Sequence, residues 1–394
     1  MRGRGHETSE RACPAREICL PAVRFAANGI VPRLLALIVI ASAAVEARPS
    51  AAVAAEPVPA AAAALPRVAP PTPWLPLPPS STTLTRIGVG SCLRQREPQP
   101  IWASVIAARP QVFLMIGDNV YGDTKKAGLR ALVDAYTVQG RHPQFATARA
   151  ALAFMAVWDD HDYGDNDAYG DFALAAPSTA LFHDFWQTRR QRERGIHHVE
   201  TFGPPGRRVQ VVMLDTRSFR SAFTRKGKAT YTPDPDPAKT LLGDEQWAWL
   251  EATLRQPAEI RLIVSSIQVL AKGHAFERWG NLPAERKRLM STIQRTGARG
   301  VILLSGDRHM GAFYRGKTPA GRMLPEMTTS SLNRSHGPSK DARVPPLVGE
   351  PYRQENFGIV EIDWSERTVN LELRDLAGQT VGELPVRFAD LGIE

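Results

Sequence analysis

The stretch "AVWDDHDYGDND", residues 156–167, runs from an apolar segment into five aspartates, one histidine and one asparagine. Carboxylates this crowded repel one another and raise each other's pKa unless a positive charge is held among them. Other apolar runs end in a similar way. One closes on Ser91-Cys92, one on Gly117-Asp118-Asn119-Val120-Tyr121, one on Asp215-Thr216-Arg217 and one on Gly306-Asp307-Arg308-His309. Hard cations take oxygen ligands from Asp and Asn. Imidazole and thiolate suit transition metals, and ferric iron also accepts phenolate. The set Cys92, Asp118, Tyr121, Asp160, Asn166, Asp307 and His309 mixes both kinds. It suits one harder and one softer ion side by side, with the two oxygens of Asp118 as a natural bridge. The 156–167 segment is not an EF-hand, because no start position gives the required Gly at 6 and Glu at 12. Each residue also has a duller reading. Asp118 and Asp307, each after a glycine, suit turns or N-caps. Cys92 suits a buried small hydrophobe, and Tyr121 a core tyrosine with one hydrogen bond.

The elements that carry these residues alternate. Strand patterns occupy 84–92, 111–118, 152–160, 207–217, 259–268 and 299–309. Helical spacing occupies 100–110, 129–140 (stopped by Gly140), 244–256 and 283–297. This alternation predicts a layered α/β fold with parallel pairing. Two adjacent strand patterns at 356–365 and 367–376 predict that part of the sheet is antiparallel, so the whole is mixed. Sites in open α/β sheets form beyond the carboxyl ends of the strands. That is where every candidate ligand falls. Residues 333–355, rich in Pro, Arg and Ser, read as a long loop.

The chain has 394 residues and a formal net charge of +9. A basic surface favours anionic substrates, but no Lys/Arg run is dense enough to make nucleic acid the leading partner. Arg33 precedes "LLALIVIASAAVEA", residues 34–47, a short apolar run closed by small residues. This reads as a signal peptide over 1–47, too short to span a bilayer, and predicts an exported, periplasmic or secreted protein with no stable membrane span after cleavage. Residues 48–82 read as an extended Ala/Pro linker that does not pack by itself, and 83–394 as the folded domain. Cys13 and Cys19 fall in the leader, so the mature chain keeps only Cys92 and forms no internal disulfide.

"GSC", "GDNVY", "WDDHDYGDND", "LDTRSFR", "QWAWL" and "SGDRH" occur here in the order found in PhoD-like alkaline phosphatases, a branch of the calcineurin-like metallophosphoesterases. The resemblance covers most of 85–365, and "WDDHDYGDND" and "SGDRH" are its specific parts. It implies a four-layer sandwich of two mixed β-sheets flanked by helices, and an Fe(III) site beside Ca2+. By motif match, Cys92, Asp118, Tyr121 and His309 surround iron. Asp118, Asp160 and Asp307 serve the second ion, with Asn166 nearby, and His161 is a phosphate-facing acid. Longer members carry an extra N-terminal β-domain where this chain has only a linker. The implied chemistry is hydrolysis of a phosphate monoester or diester by a metal-activated water, with His161 protonating the leaving alkoxide. Arg217 is the candidate cation for the phosphate oxygens, against the alternative of a salt bridge to Asp215. A monomer is expected. The rival readings are a phosphodiesterase or phospholipase D-type activity on the same site, and a non-catalytic metal- or phosphate-binding protein.

Overall fold

The computed structural model describes residues 66–123, 129–188, 194–228, 230–337 and 343–394. The expected leader lies outside the described residues. Among those described, no helix is long and apolar enough to cross a membrane.

Two large sheets dominate. The first has the spatial order Thr380–Arg387, Thr368–Asp375, Asn356–Asp363, Arg86–Gly90, Val112–Ile116, Phe154–Val157. Its last three strands run parallel, and the other three are joined to them antiparallel. The second has the order Leu347–Tyr352, Gly311–Lys317, Met323–Thr329, Val301–Ser305, Ile260–Ser265, Val209–Met213, His198–Phe202. Its inner strands are parallel and its two flanks antiparallel. Both sheets are therefore mixed, as expected.

The period-2 alternation of side chains sorts the layers. In the second sheet, Val211, Met213, Leu262, Val264, Ile302 and Leu304 join the same core as Ile87, Val89 and Leu114 of the first. Their neighbours Val212, Ile263 and Leu303 join a separate core with Trp247, Leu250, Leu289 and Ile293. Those four belong to the helices Gly243–Leu254 and Pro283–Arg295. The first sheet's outer face is covered by the helices Ile101–Ala107, Arg130–Arg141, Pro143–Ala151 and Ala175–Trp186, and there Trp102 meets Phe113 edge-on at 5.3 Å. The outcome is helix, sheet, sheet, helix.

Three sequence expectations need correction. Residues 66–82 are no free linker. Trp74 packs edge-on against Phe145, Phe154 and Phe185, stacks on Trp186 at 4.6 Å, and donates its indole N–H to the Phe185 carbonyl at 2.8 Å. Buried Arg149 donates to the Thr72 carbonyl at 2.6 Å. A partly buried aromatic of this size contributes about 1–2 kcal/mol, enough to help fix a proline-rich strap onto the domain. Gly140 does not stop its helix, which runs on to Arg141; a Cβ there would stand in ordinary van der Waals contact with Phe185 and Pro70, 3.4 Å away. The 333–355 loop contains the strand Leu347–Tyr352. This is an edge strand with neither face fully buried, so it carries no alternation to read.

Candidate metal centre

Each candidate ligand follows a buried strand whose apolar side chains fix the point of departure. The backbone then turns sharply. Cys92, Asp118, Asp307 and His309 have φ of 59°, 49°, 65° and 52°, and Asp167 has 61°. Left-handed backbone at a non-glycine residue costs about 1–3 kcal/mol and persists only where surroundings impose it. Five of the nine such residues described in the chain lie in this one region. Gly117, at φ 116°, makes the turn before Asp118, and a Cβ there would stand 2.7 Å from the Cβ of Asp159. No other residue fits.

Cys92, Asp118 and His309 form one group whose ligand atoms all lie within 4.8 Å of one another. Cys92 Sγ is 3.4 Å from Asp118 Oδ2 and 3.0 Å from Ser330 Oγ. Tyr121 completes the group, its hydroxyl donating to Asp118 Oδ2 at 3.2 Å and lying 3.0 Å from His309 Nε2. Burial pushes the Cys92 thiol and the Tyr121 phenol well up, and Asp118 adds to both. Burial, then His336 and Arg334, lowers His309 to about 2. A neutral imidazole is the form that binds metal.

A second group joins Asp118, Asp160 and His161 within the same 4.8 Å limit. Asp118 belongs to both groups. Burial holds the Asp118 carboxyl well above the usual range against the pull of His161, and Asp160 adds to the rise. For Asp160 burial also raises the pKa, but His161, Arg217 and the backbone N–H of Asp167 outweigh it and hold the carboxyl low. Burial lowers His161, yet Asp160, Asp118 and Asp123 carry it to about 11. Among these side chains the imidazolium is thus the resident positive charge. Asp118 Oδ1 and Asp160 Oδ1 remain buried without a hydrogen bond. Two orphaned carboxylate oxygens beside a thiol, a phenol and a neutral imidazole fit a hard ion next to a softer one. Asn166 and Asp307 line the same cleft, and Asp307 joins no group of three His, Cys, Asp or Glu ligands among the described residues.

The remaining aspartates of the opening segment have structural partners. Asp162 accepts the Asp159 N–H at 2.6 Å and the Asn119 N–H at 3.1 Å. Asp167 accepts from Tyr231 through its carboxylate. Asp159 pairs with Arg217, and here the expected role of Arg217 fails. Its side chain is 0% exposed and is not part of the wall of the cleft above these ligands. Nε donates to Asp159 at 2.5 Å, Nη1 to Glu277 at 2.6 Å, and Nη2 lies 3.7 Å from Asp160. Asp215 takes only the backbone N–H of Arg217, so the alternative salt bridge is absent too. Asp215 also accepts Trp158, Ser218 and Ile196 and caps this turn. Arg220 pairs with Glu277 at 2.7 Å.

Sequence reasoning missed Asp123, which holds His161 Nδ1 at 2.6 Å; the Gly-Asp after Tyr121 was the available signal. It missed Glu277, which sits in a loop with no periodic pattern. It also missed Ser330, which touches Cys92 and accepts the His309 N–H at 2.8 Å at the end of an unrecognised strand. Trp279 is fully buried, a loop anchor that does not face the cleft.

Both groups open onto a cleft of about 950 Å³, whose walls include Lys272, Arg308 and Arg353. Two mixed sheets between helical layers, with carboxylates, a thiol and imidazoles gathered beyond the strands' carboxyl ends, define a metallophosphoesterase-type fold. Residues 88–373 match the PhoD-like phosphatase family, and the chain belongs to it. Alkaline phosphatase D of Bacillus subtilis (strain 168) is 23% identical over 230 residues, covering 49% of this chain and 39% of that protein. The match thus spans well under two thirds of that relative. The solved structure of PhoD superposes with a TM-score of 0.65 at 16% identity, over 79% of this chain and 70% of that one. GAP50, the anchor in the inner membrane complex of Plasmodium, superposes with a TM-score of 0.50 at 11% identity, over 78% and 89%. At these identities the superpositions establish the fold alone.

Proposed function

We propose that the protein is an exported, metal-dependent phosphate-ester hydrolase of the alkaline phosphatase D type. The observation that carries this reading is the pair of buried, unbonded oxygens on Asp118 and Asp160 at the floor of an open, cation-walled cleft. Cys92, Asp118, Tyr121 and His309 would hold Fe(III). Asp118 and Asp160, with Asn166 and Asp307 from the cleft wall, would hold Ca2+. Bound ions supply Lewis-acid polarisation of the phosphoryl oxygens and lower the pKa of water. The chain's own side chains do the rest. His161, with Nδ1 fixed by Asp123, keeps Nε2 for delivering a proton to the leaving alkoxide. Lys272, Arg308 and Arg353 take over the phosphate-facing charge first assigned to Arg217. The apolar run at 34–47 supports export.

The test is metal analysis of aerobically purified protein joined to a screen of phosphomonoesters, bis-aryl phosphodiesters, nucleotides and phospholipids. Stoichiometric iron and calcium with chelator-sensitive hydrolysis is expected. Metal without any hydrolysis would convert the reading to a binding protein, and full activity after stripping would remove the metal from it.

A further inference from the structure

One wall of the cleft is the loop that leaves the strand Ile260–Ser265, and Phe276 on it is 39% exposed. A large apolar ring held open in a polar cleft asks for an explanation, because this loop is pinned on both sides of it. Upstream, Glu326 accepts the N–H groups of Val269 and Leu270 at 2.9 and 2.6 Å. Gln268 donates to Tyr314 and Thr328 at 2.9 and 2.8 Å, and its Oε1 lies 2.8 Å from His274 Nε2. The Phe276 N–H in turn donates to His274 Nδ1 at 3.2 Å. Downstream, Glu277 is held by Arg217 and Arg220. The ring is therefore presented by a rigid support. The guanidinium carbon of Arg308 stacks on it, 4.2 Å from the centroid. Arg308 stands between Asp307 and His309, so this stacked pair adjoins the metal ligands.

We infer that Phe276 and Arg308 form a shelf for a planar aromatic group on the substrate. The inference deepens the hydrolase reading and rests on it. Aromatic rings and guanidinium planes both stack on flat π-systems. A phosphate seated at the metal groups places its ester substituent along the adjoining wall. The shelf selects esters of aromatic alcohols and of nucleosides over those of small aliphatic alcohols.

The test compares wild type, Phe276→Ala and Phe276→Tyr in the metal-loaded protein. The readouts are kcat/KM for naphthyl phosphate and glycerol phosphate, and calorimetric affinities for naphthylphosphonate and methylphosphonate. Taking ratios cancels the intrinsic reactivity of each ester. Phe276→Ala is expected to lower the naphthyl-to-glycerol ratio about five- to tenfold, the scale of one lost aromatic contact, and Phe276→Tyr to restore it. The phosphonate affinity ratio should fall in parallel. Unchanged ratios in Phe276→Ala overturn the shelf while leaving hydrolysis intact. Selective phosphonate binding without turnover of any ester overturns the hydrolase reading while leaving the shelf intact.

Discussion

Two acidic nests lie side by side here, and they solve the same electrostatic problem differently. In one, Asp159 and Glu277 are buried against Arg217 and Arg220, so the chain itself brings the cations. In the other, Asp118 and Asp160 are buried with His161 as the close counter-charge, and Arg217 reaches only Asp160, at 3.7 Å. Burial still carries Glu277 up to about 7, but its two arginines pull against the rise. Asp118 and Asp307 are lifted well above the usual range by burial, and neighbouring aspartates add to the lift. The difference teaches where a cation must come from outside. A guanidinium closes a nest permanently, whereas a nest left short of charge at the floor of a cleft can exchange its cation with solvent and share it with a substrate.

The strongest way to break this contrast is Asp118→Asn. Losing the bridging carboxylate removes a ligand from both groups at once. We expect kcat/KM to fall by more than about a thousandfold, about 4 kcal/mol of transition-state stabilisation, with iron and calcium contents falling together. In the metal-stripped state the order reverses. The neutral amide needs no counter-charge, so stripped Asp118→Asn should unfold no earlier than stripped wild type. Stripped wild type, in turn, should melt below the loaded protein and recover on metal addition. Equal melting of loaded and stripped wild type would show that the nest needs no ion. Arg217→Gln should do the opposite. It takes the guanidinium from Asp159 and one of the two from Glu277 in a dry site and costs about 3–5 kcal/mol of folding stability, a deficit that added metal does not repair. Recovery of that variant by calcium would erase the distinction between the nests.

The distinction explains what could be read from the residues in order. Strand ends bearing Cys92, Asp118, Asp160 and His309 were legible because an apolar run followed by Gly-Asp or Asp-Asp is a local pattern. The α/β alternation was legible for the same reason. Arg217 was not, because "LDTR" places a guanidinium just after a strand in either nest, and only tertiary packing decides that it turns inward to Asp159. Glu277 comes from an aperiodic loop and leaves no trace in the pattern. The strands Gly311–Lys317 and Met323–Thr329 escaped notice because their mixed polarity, and Pro325 within the second, hide a burial that the neighbouring strands impose. Trp74 looked like linker because composition reports a segment's own tendency to pack, and its partners lie on the helices Pro143–Ala151 and Ala175–Trp186 and the strand Phe154–Val157.

Smaller effects sharpen the comparison at its edges. Asp123 touches His161 from outside both nests and is partly exposed. Asp123→Asn should keep metal content and melting temperature while lowering kcat about 10- to 100-fold, the range for a partner that orients a site residue; loss of metal would make Asp123 part of the nest instead. The pair Arg208–Glu259, 2.8 Å apart and partly exposed, is the reference for an ion pair that water reaches. Burial opposes ionisation of Glu259, but the side-chain and backbone donors of Arg208 outweigh it and lower the pKa. Its stabilisation is therefore fully present above the ordinary glutamate range and disappears as pH falls through the lowered value. Glu259→Gln should cost less than about 1 kcal/mol at neutral pH and nothing in strong acid, by chemical denaturation across pH. A cost as large as that of Arg217→Gln would mean that burial is not what separates the two nests from the rest of the surface.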